Sequence, residues 1–246
     1  MKHWPRTGPL NVQIYASRYM ESTSVMHMNF LLRYISQIKN SKNVSNVVAI
    51  ADGGPDWSVK GVINLMTFGY LWQNLAIDTL VIQCFAPGHS RFNPIERSWA
   101  YLTQCLVGVE LSAEIDSETK KVPSPDDDEG WQFVLDRAVE DCGRFWNGKK
   151  LDSFPINIYP FFSQDVAESG IKDLHSYLKS FVNAGVRELK NGEFKKPIND
   201  YQFFVHHCNR KPYQLEFIRC QSDNCRHCSK LPTREINFLQ TIRKFG

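Results

Sequence analysis

Two short apolar runs, each stopped by a turn and followed by an amphipathic stretch, constrain this chain more than any other feature. Val47 to Ala51 (VVAIA) and Leu80 to Phe85 (LVIQCF) are bounded by polar residues and too short for helices. Such runs read as strands buried on both faces. Asp52-Gly53-Gly54-Pro55 stops the first abruptly. A helix is then predicted from about Ser58 to Asn74, with Val59, Val62, Ile63, Met66 and Tyr70 on one face. After the loop Ala86 to Phe92, the stripe Ile95, Trp99, Leu102 and Leu106 predicts another helix. Ahead of both runs, Asn11 to Ala16 (NVQIYA) alternates apolar and polar residues, as a half-buried strand does. Met28, Leu31, Leu32, Ile35 and Ile38 then recur at helical spacing, between N-cap candidates Ser22, Thr23 and Ser24 and the polar run Asn40 to Asn43. Strand then helix, three times over, predicts an α/β layer structure whose last two strands pair in parallel.

Beyond Gly108 the pattern loosens. Residues 109–130 are acidic and turn-rich (Asp126-Asp127-Asp128-Glu129) and read as a solvated loop. Residues 131–200 read as a helical extension. Trp131, Val134, Leu135, Ala138, Cys142 and Phe145 mark one helix; Ile171, Leu174, Leu178, Phe181 and Val182 mark another. Between them, Asn147 to Ser163 carries Pro155 and Pro160 and reads as irregular. From residue 201 to 246 runs a cysteine-rich tail with two strand-like pieces, Gln202 to Val205 and Gln214 to Ile218.

Composition narrows the class. In 246 residues, 22% are charged and 13% aromatic, which excludes a disordered chain, a collagen-like chain and a coiled coil. The most apolar stretch, Val62 to Ala86, is broken by Gln73, Asn74 and Asp78, so no membrane association is expected. The N-terminal MKHWPRTGPLNVQ holds no apolar signal run, and the expected location is a reducing compartment, nuclear or cytoplasmic. Residues 186–246 hold 12 Lys/Arg against 6 Asp/Glu, whereas the other 185 hold 17 against 20. A basic end beside a mildly acidic body suits a polyanion such as DNA, and equally a solvated surface.

Four of the seven cysteines cluster near the C-terminus as Cys208, Cys220, Cys225 and Cys228. Four thiolates, or three with a histidine, satisfy tetrahedral Zn²⁺ with no open position, as a structural site requires. The short Cys225-x2-Cys228 step sets two sulfurs on one ion. His206, His207 and His227 compete with Cys208 for the fourth place. Cys84, Cys105 and Cys142 fall on apolar positions and read as core.

Asp52 directly follows one predicted strand, and Glu96 lies in the first turn of the helix after the next. Functional groups of open α/β sheets collect at the carboxyl ends of strands. Two carboxylates on one rim suit Mg²⁺ (or Mn²⁺), which takes one or two acids plus water and substrate phosphate. Each acid also has a purely structural role open to it. Asn93-Pro94-Ile95-Glu96 suits a helix start with a capping-box acid, and Asp52-Gly53-Gly54-Pro55 suits a turn. Lys60, His89, Arg91 and Arg97 flank the acids and are candidates for nucleic-acid phosphates, or plain surface cations.

The Asp52-Gly53-Gly54-Pro55-Asp56-Trp57 turn, with Ala86-Pro87-Gly88-His89-Ser90-Arg91-Phe92-Asn93-Pro94-Ile95-Glu96, resembles the DDE transposase and integrase superfamily, mariner-like members above all. The resemblance covers about residues 10–107. It implies a ribonuclease-H-like core in residues 1–108, a mixed sheet with flanking helices, followed by helices and a small zinc-binding module. It also implies Mg²⁺-dependent cleavage and transfer of DNA strands, with Asp52 and Glu96 as catalytic metal ligands. DNA is the implied partner, and a homo-oligomer a further option. One departure stands out. The family's first acid lies on the opening strand, yet residues 1–51 contain no Asp, and their only Glu is Glu21. The expectation is a partial, N-terminally truncated core, with catalysis impaired by loss of that acid. The rival expectation is a non-catalytic, zinc-stabilised module that binds DNA or protein.

Overall fold

The computed structural model describes residues 8–16, 18, 21–42, 44–86, 88–89, 93, 95–116 and 118–231. It is a mixed α/β structure with two sheets. Strand β1 (Leu10–Ile14) is followed by helix α1 (Ser24–Lys42), β2 (Asn46–Ala51), α2 (Val62–Leu75), β3 (Thr79–Cys84) and α3 (Ile95–Gln104). These six elements match the sequence expectation in type and order. β2 and β3 pair in parallel from Asn46 opposite Thr79 to Ala51 opposite Cys84.

The rest of the larger sheet comes from the far end of the chain. Hairpin β6 (Cys208–Lys211) and β7 (Gln214–Ile218) joins it with β7 antiparallel to β3, giving the order β2-β3-β7-β6. β3 is therefore central and almost wholly buried. β2 is an edge. Val47 and Ala49 pack inward, but Val48 and Ile50 are 48% and 60% exposed. The expectation of burial on both faces is corrected here, because among the described residues nothing covers that face.

Helix α2 is apolar nearly all round and correspondingly buried. Leu65, Met66, Phe68, Leu71, Trp72 and Leu75 are each at most 2% exposed. Phe204 and Phe217 complete this core from α8 (Lys195–His206) and β7, each buried phenyl ring contributing about 1.5–3 kcal/mol. The helix begins at Val62, later than the periodicity suggests. Asn64 is turned back to donate to the carbonyls of Pro55 and Ser58, at 2.8 and 2.9 Å, which keeps that segment as a turn.

The second sheet is β1-β5-β4, with β4 (Lys150–Leu151) and β5 (Phe154–Pro160) following α4 (Asp128–Trp146). Residues expected to be irregular thus form a strand parallel to β1. Its prolines explain the misreading. Pro160 is its last residue and Pro155 lies at its start, against a two-residue partner. Val12, Leu102, Trp146 and Ile156 form a smaller core beneath it, and the Trp146 indole donates to the Leu102 carbonyl at 3.0 Å. The expected strand Gln202 to Val205 is corrected as well. It lies inside α8, where Phe204 is buried against α2. Helices α5 (Ser163–Glu168), α6 (Ile171–Asn183) and α7 (Val186–Lys190) complete the path to α8.

The contact between α2 and α8 is made through a glycine. A Cβ on Gly69 would stand 2.4 Å from Cγ of the fully buried Phe204 ring. Overpacking outweighs the better helix propensity of alanine, so Gly69→Ala is expected to destabilise the fold by about 1–3 kcal/mol in urea denaturation. A stabilised variant would contradict this packing.

Candidate metal centre and acidic rim

Four side chains converge at the open end of the β6–β7 hairpin. One ligand atom from each of His207, Cys220, Cys225 and Cys228 lies within 4.8 Å of the other three. Local structure explains the convergence. Cys220 follows the end of β7, and the Cys225 to Cys228 step is closed by a short 3-10 turn over Cys228–Lys230. Backbone amides face the sulfurs: Cys220 N–H donates to Cys228 Sγ at 3.2 Å, and Cys228 N–H to Cys225 Sγ at 3.4 Å. None of the three cysteines is in a disulfide.

His207 ends α8 and supplies the nitrogen. Its Nδ1 lies 2.9 Å from the Phe203 carbonyl. A carbonyl only accepts, so Nδ1 carries the proton and Nε2 keeps its lone pair. That lone pair faces Cys225 Sγ at 3.4 Å. A zinc tetrahedron with Zn–S of about 2.3 Å and Zn–N of about 2.0–2.1 Å has N···S edges near 3.5 Å. Three sulfurs and one correctly protonated imidazole fit Zn²⁺, and the carbonyl behind the ring is the outer support that metal-binding histidines use.

Cys208, the expected fourth ligand, is corrected to His207. As the first residue of β6 it turns its thiol against the main core, where burial pushes the thiol's pKa up. Of the other histidines weighed, His206 is exposed, and His227 lies buried against Trp72 with ring centroids 4.2 Å apart.

The knuckle is fastened to the core by two arginines. Arg226 donates to Asp200 of α8 at 2.8 Å and lies over the Phe203 ring, while Tyr70 of α2 donates to the other carboxyl oxygen at 2.9 Å. Arg219 pairs with Asp78 at 3.3 Å and donates to the Leu231 carbonyl at 3.2 Å.

The acidic rim lies at the carboxyl end of β2 and β3. Asp52 is exposed and its Oδ1 accepts the Gly54 amide at 3.0 Å, the turn role weighed for it. Gly53 takes φ +82°, and a Cβ there would meet Cβ of Cys84 at 3.2 Å, so glycine is required. Asp52 borders a cleft of about 630 Å³ between the free edges of β1 and β2, together with Gln13, His27, Trp57, Asn93 and Trp99. Glu96 is exposed in the first turn of α3. Its neighbours Ile95 and Trp99 line that cleft, whereas Glu96 stands to the side, about 100° round the helix from Ile95.

Of the proposed phosphate contacts, Lys60 shares a second cavity with Asp52; His89 and Arg97 are exposed and line neither. Arg91 lies outside the described residues.

One network had no signal in the sequence. Asp56 Oδ2 accepts from Ser22 Oγ and from His27 Nε2, each at 2.7 Å. Burial pushes the Asp56 carboxyl up, but these two hydrogen bonds outweigh it and hold the group below its usual range. Asp56 and Asp52 are neighbours: carboxyl oxygens of both lie within 3.4 Å of where a Cβ on Gly54 would stand. Compared with known protein families, curated proteins and solved structures, the chain matches none.

The metal centre gives one expected outcome and the buried titratable groups a second. The purified chain should bind one zinc ion, measured by chelator competition. His207→Ala should weaken binding by more than about 100-fold, and Cys208→Ser should leave it unchanged. The reverse order would restore Cys208 as a ligand. The second concerns pH. Burial holds His175 and His227 below the ordinary imidazole value of 6.5. As pH falls through about 6.5 the unfolded chain takes up protons that the fold refuses, so stability should drop between pH 7 and 5. Asp56 acts only lower, as pH falls through 3.8 and below. Urea midpoints that stay flat from pH 7 to 5 would contradict this.

Proposed function

We propose that the chain is a DNA-processing protein of DDE transposase type, in which Asp52 and Glu96 hold a divalent cation and a zinc-bound knuckle braces the sheet beneath them. The observation that carries this reading is topological. Asp52 directly follows β2, Glu96 opens the helix after β3, and those two strands are parallel neighbours. Both acids are exposed, whereas Asp56 is engaged by His27 and Ser22. A bound Mg²⁺ or Mn²⁺ would supply Lewis-acid activation of a phosphodiester. Lys60, beside Asp52, would meet a phosphate of the bound strand. On this reading residues 1–108 belong to a ribonuclease-H-like core.

A second reading is favoured by a specific observation. Among the described residues, neither Asp52 nor Glu96 belongs to a group of three or more His, Cys, Asp or Glu at mutual ligand distance; the one such group is the His207, Cys220, Cys225 and Cys228 cluster. A rim with two acids binds a cation weakly, and the chain would then be a zinc-stabilised binder of DNA rather than a nuclease.

The readings separate on supercoiled plasmid. The first expects Mn²⁺-dependent nicking by the zinc-loaded chain, and Mn²⁺ binding weakened about tenfold or more by Asp52→Asn and by Glu96→Gln. Absence of nicking, with DNA binding unaffected by Glu96→Gln, would leave the second reading standing.

A further inference from the structure

The β6–β7 hairpin reaches the acidic rim itself. Its turn, Pro212-Tyr213, meets the carboxyl end of β3, where the Cys84 amide donates to the Tyr213 carbonyl at 2.8 Å. Pro212 and Tyr213 there line an open cavity of about 530 Å³, together with Asp52, Ser58, Lys60 and Phe85. The volume suits a small-molecule site. Tyr213 is nevertheless 46% exposed, an aromatic surface kept in water where it lines the cavity.

The charges point to the ligand. Lys60 makes no ion pair among the described residues. Arg210 makes one long contact, Nη1 to the Lys60 carbonyl at 3.5 Å, with no carboxylate partner among those residues. An open ring, two cations and one acid within a single hairpin and its facing turn suit a planar base joined to phosphates. Stacking on an aromatic side chain beside cations that track the backbone is how single strands are held without sequence preference.

We propose that this cavity seats one nucleotide unit of a single-stranded polynucleotide, its base on Tyr213 and its phosphate against Lys60, with Arg210 on the flanking phosphate. The proposal rests on the nucleic-acid reading of the rim and deepens it: the strand lies beside Asp52, and the zinc-held hairpin forms one wall of its site. Zinc removal therefore weakens binding even though no base or phosphate touches the metal.

The test is fluorescence anisotropy of a labelled 12-nucleotide oligothymidylate on the zinc-loaded full chain, with no added Mg²⁺ or Mn²⁺. Tyr213→Ala should lower affinity about 5- to 150-fold, and Tyr213→Phe should stay within about twofold of the parent. Lys60→Gln, a surface change, should reduce the slope of log affinity against log salt by about 0.7. Zinc content and thermal melting establish that Tyr213→Ala is folded. A folded Tyr213→Ala that binds like the parent overturns the proposal, and so does an unchanged salt slope for Lys60→Gln. In either case the plasmid assay on Asp52 and Glu96 still decides the rim. A parent chain that does not bind the oligonucleotide overturns the proposal and the nucleic-acid reading together.

Discussion

The orientation of one imidazole ring governs how the C-terminal part of this chain is held. The Phe203 carbonyl lies one helical turn before His207 and fixes the proton on Nδ1. That leaves Nε2 facing Cys225. Without that hydrogen bond the ring could rotate, and three cysteines alone would leave an open position on a tetrahedral ion. The next residue begins β6, so the ring that completes the metal set also fixes where the hairpin starts. Metal affinity and hairpin placement thus depend on the same hydrogen bond from the His207 ring to the Phe203 carbonyl.

β7 carries that constraint across the sheet. It lies antiparallel to β3 along nearly its whole length, Thr79 opposite Ile218 and Gln83 opposite Gln214. Five residues of strand span about 17 Å. At one end, Arg219 is tied to Asp78 and Leu231 beside the cysteines. At the other, Tyr213 is tied to Cys84 beside Asp52. The metal centre and the acidic rim are therefore opposite ends of one strand pair. Arg226 adds to the fastening through Asp200, which is only 8% exposed in its side chain. A partly buried pair of this kind contributes little net stability but is costly to break from one side, so it acts chiefly to fix position.

Much of this was legible in the sequence, for reasons particular residues show. VVAIA and LVIQCF are short, apolar and cleanly bounded, and the parallel β2–β3 pair follows from them. Three of the four side chains of the candidate metal site were legible because Cys225-x2-Cys228 is a local geometry. The choice between His207 and Cys208 was not, since adjacent residues at a helix-to-strand junction point in opposite directions and only the junction decides which points where. Gln202 to Val205 looks like a strand because Phe203, Phe204 and Val205 favour one locally. Packing of Phe204 against Gly69 overrides that preference. Prolines hid β5 because they sit at its two ends, where a strand tolerates them. The Ser22–His27–Asp56 network and the placement of Tyr213 beside Asp52 arise from long-range packing and leave no periodic trace.

The central claim is that a three-sulfur, one-nitrogen zinc centre anchors the hairpin that borders the acidic rim. X-ray absorption at the zinc edge of the metal-loaded chain tests it most directly. The account predicts three sulfur scatterers at about 2.3 Å and one imidazole nitrogen at about 2.0–2.1 Å. Four sulfurs with no nitrogen would mean that Cys208 turns out of the core to bind, and would contradict it.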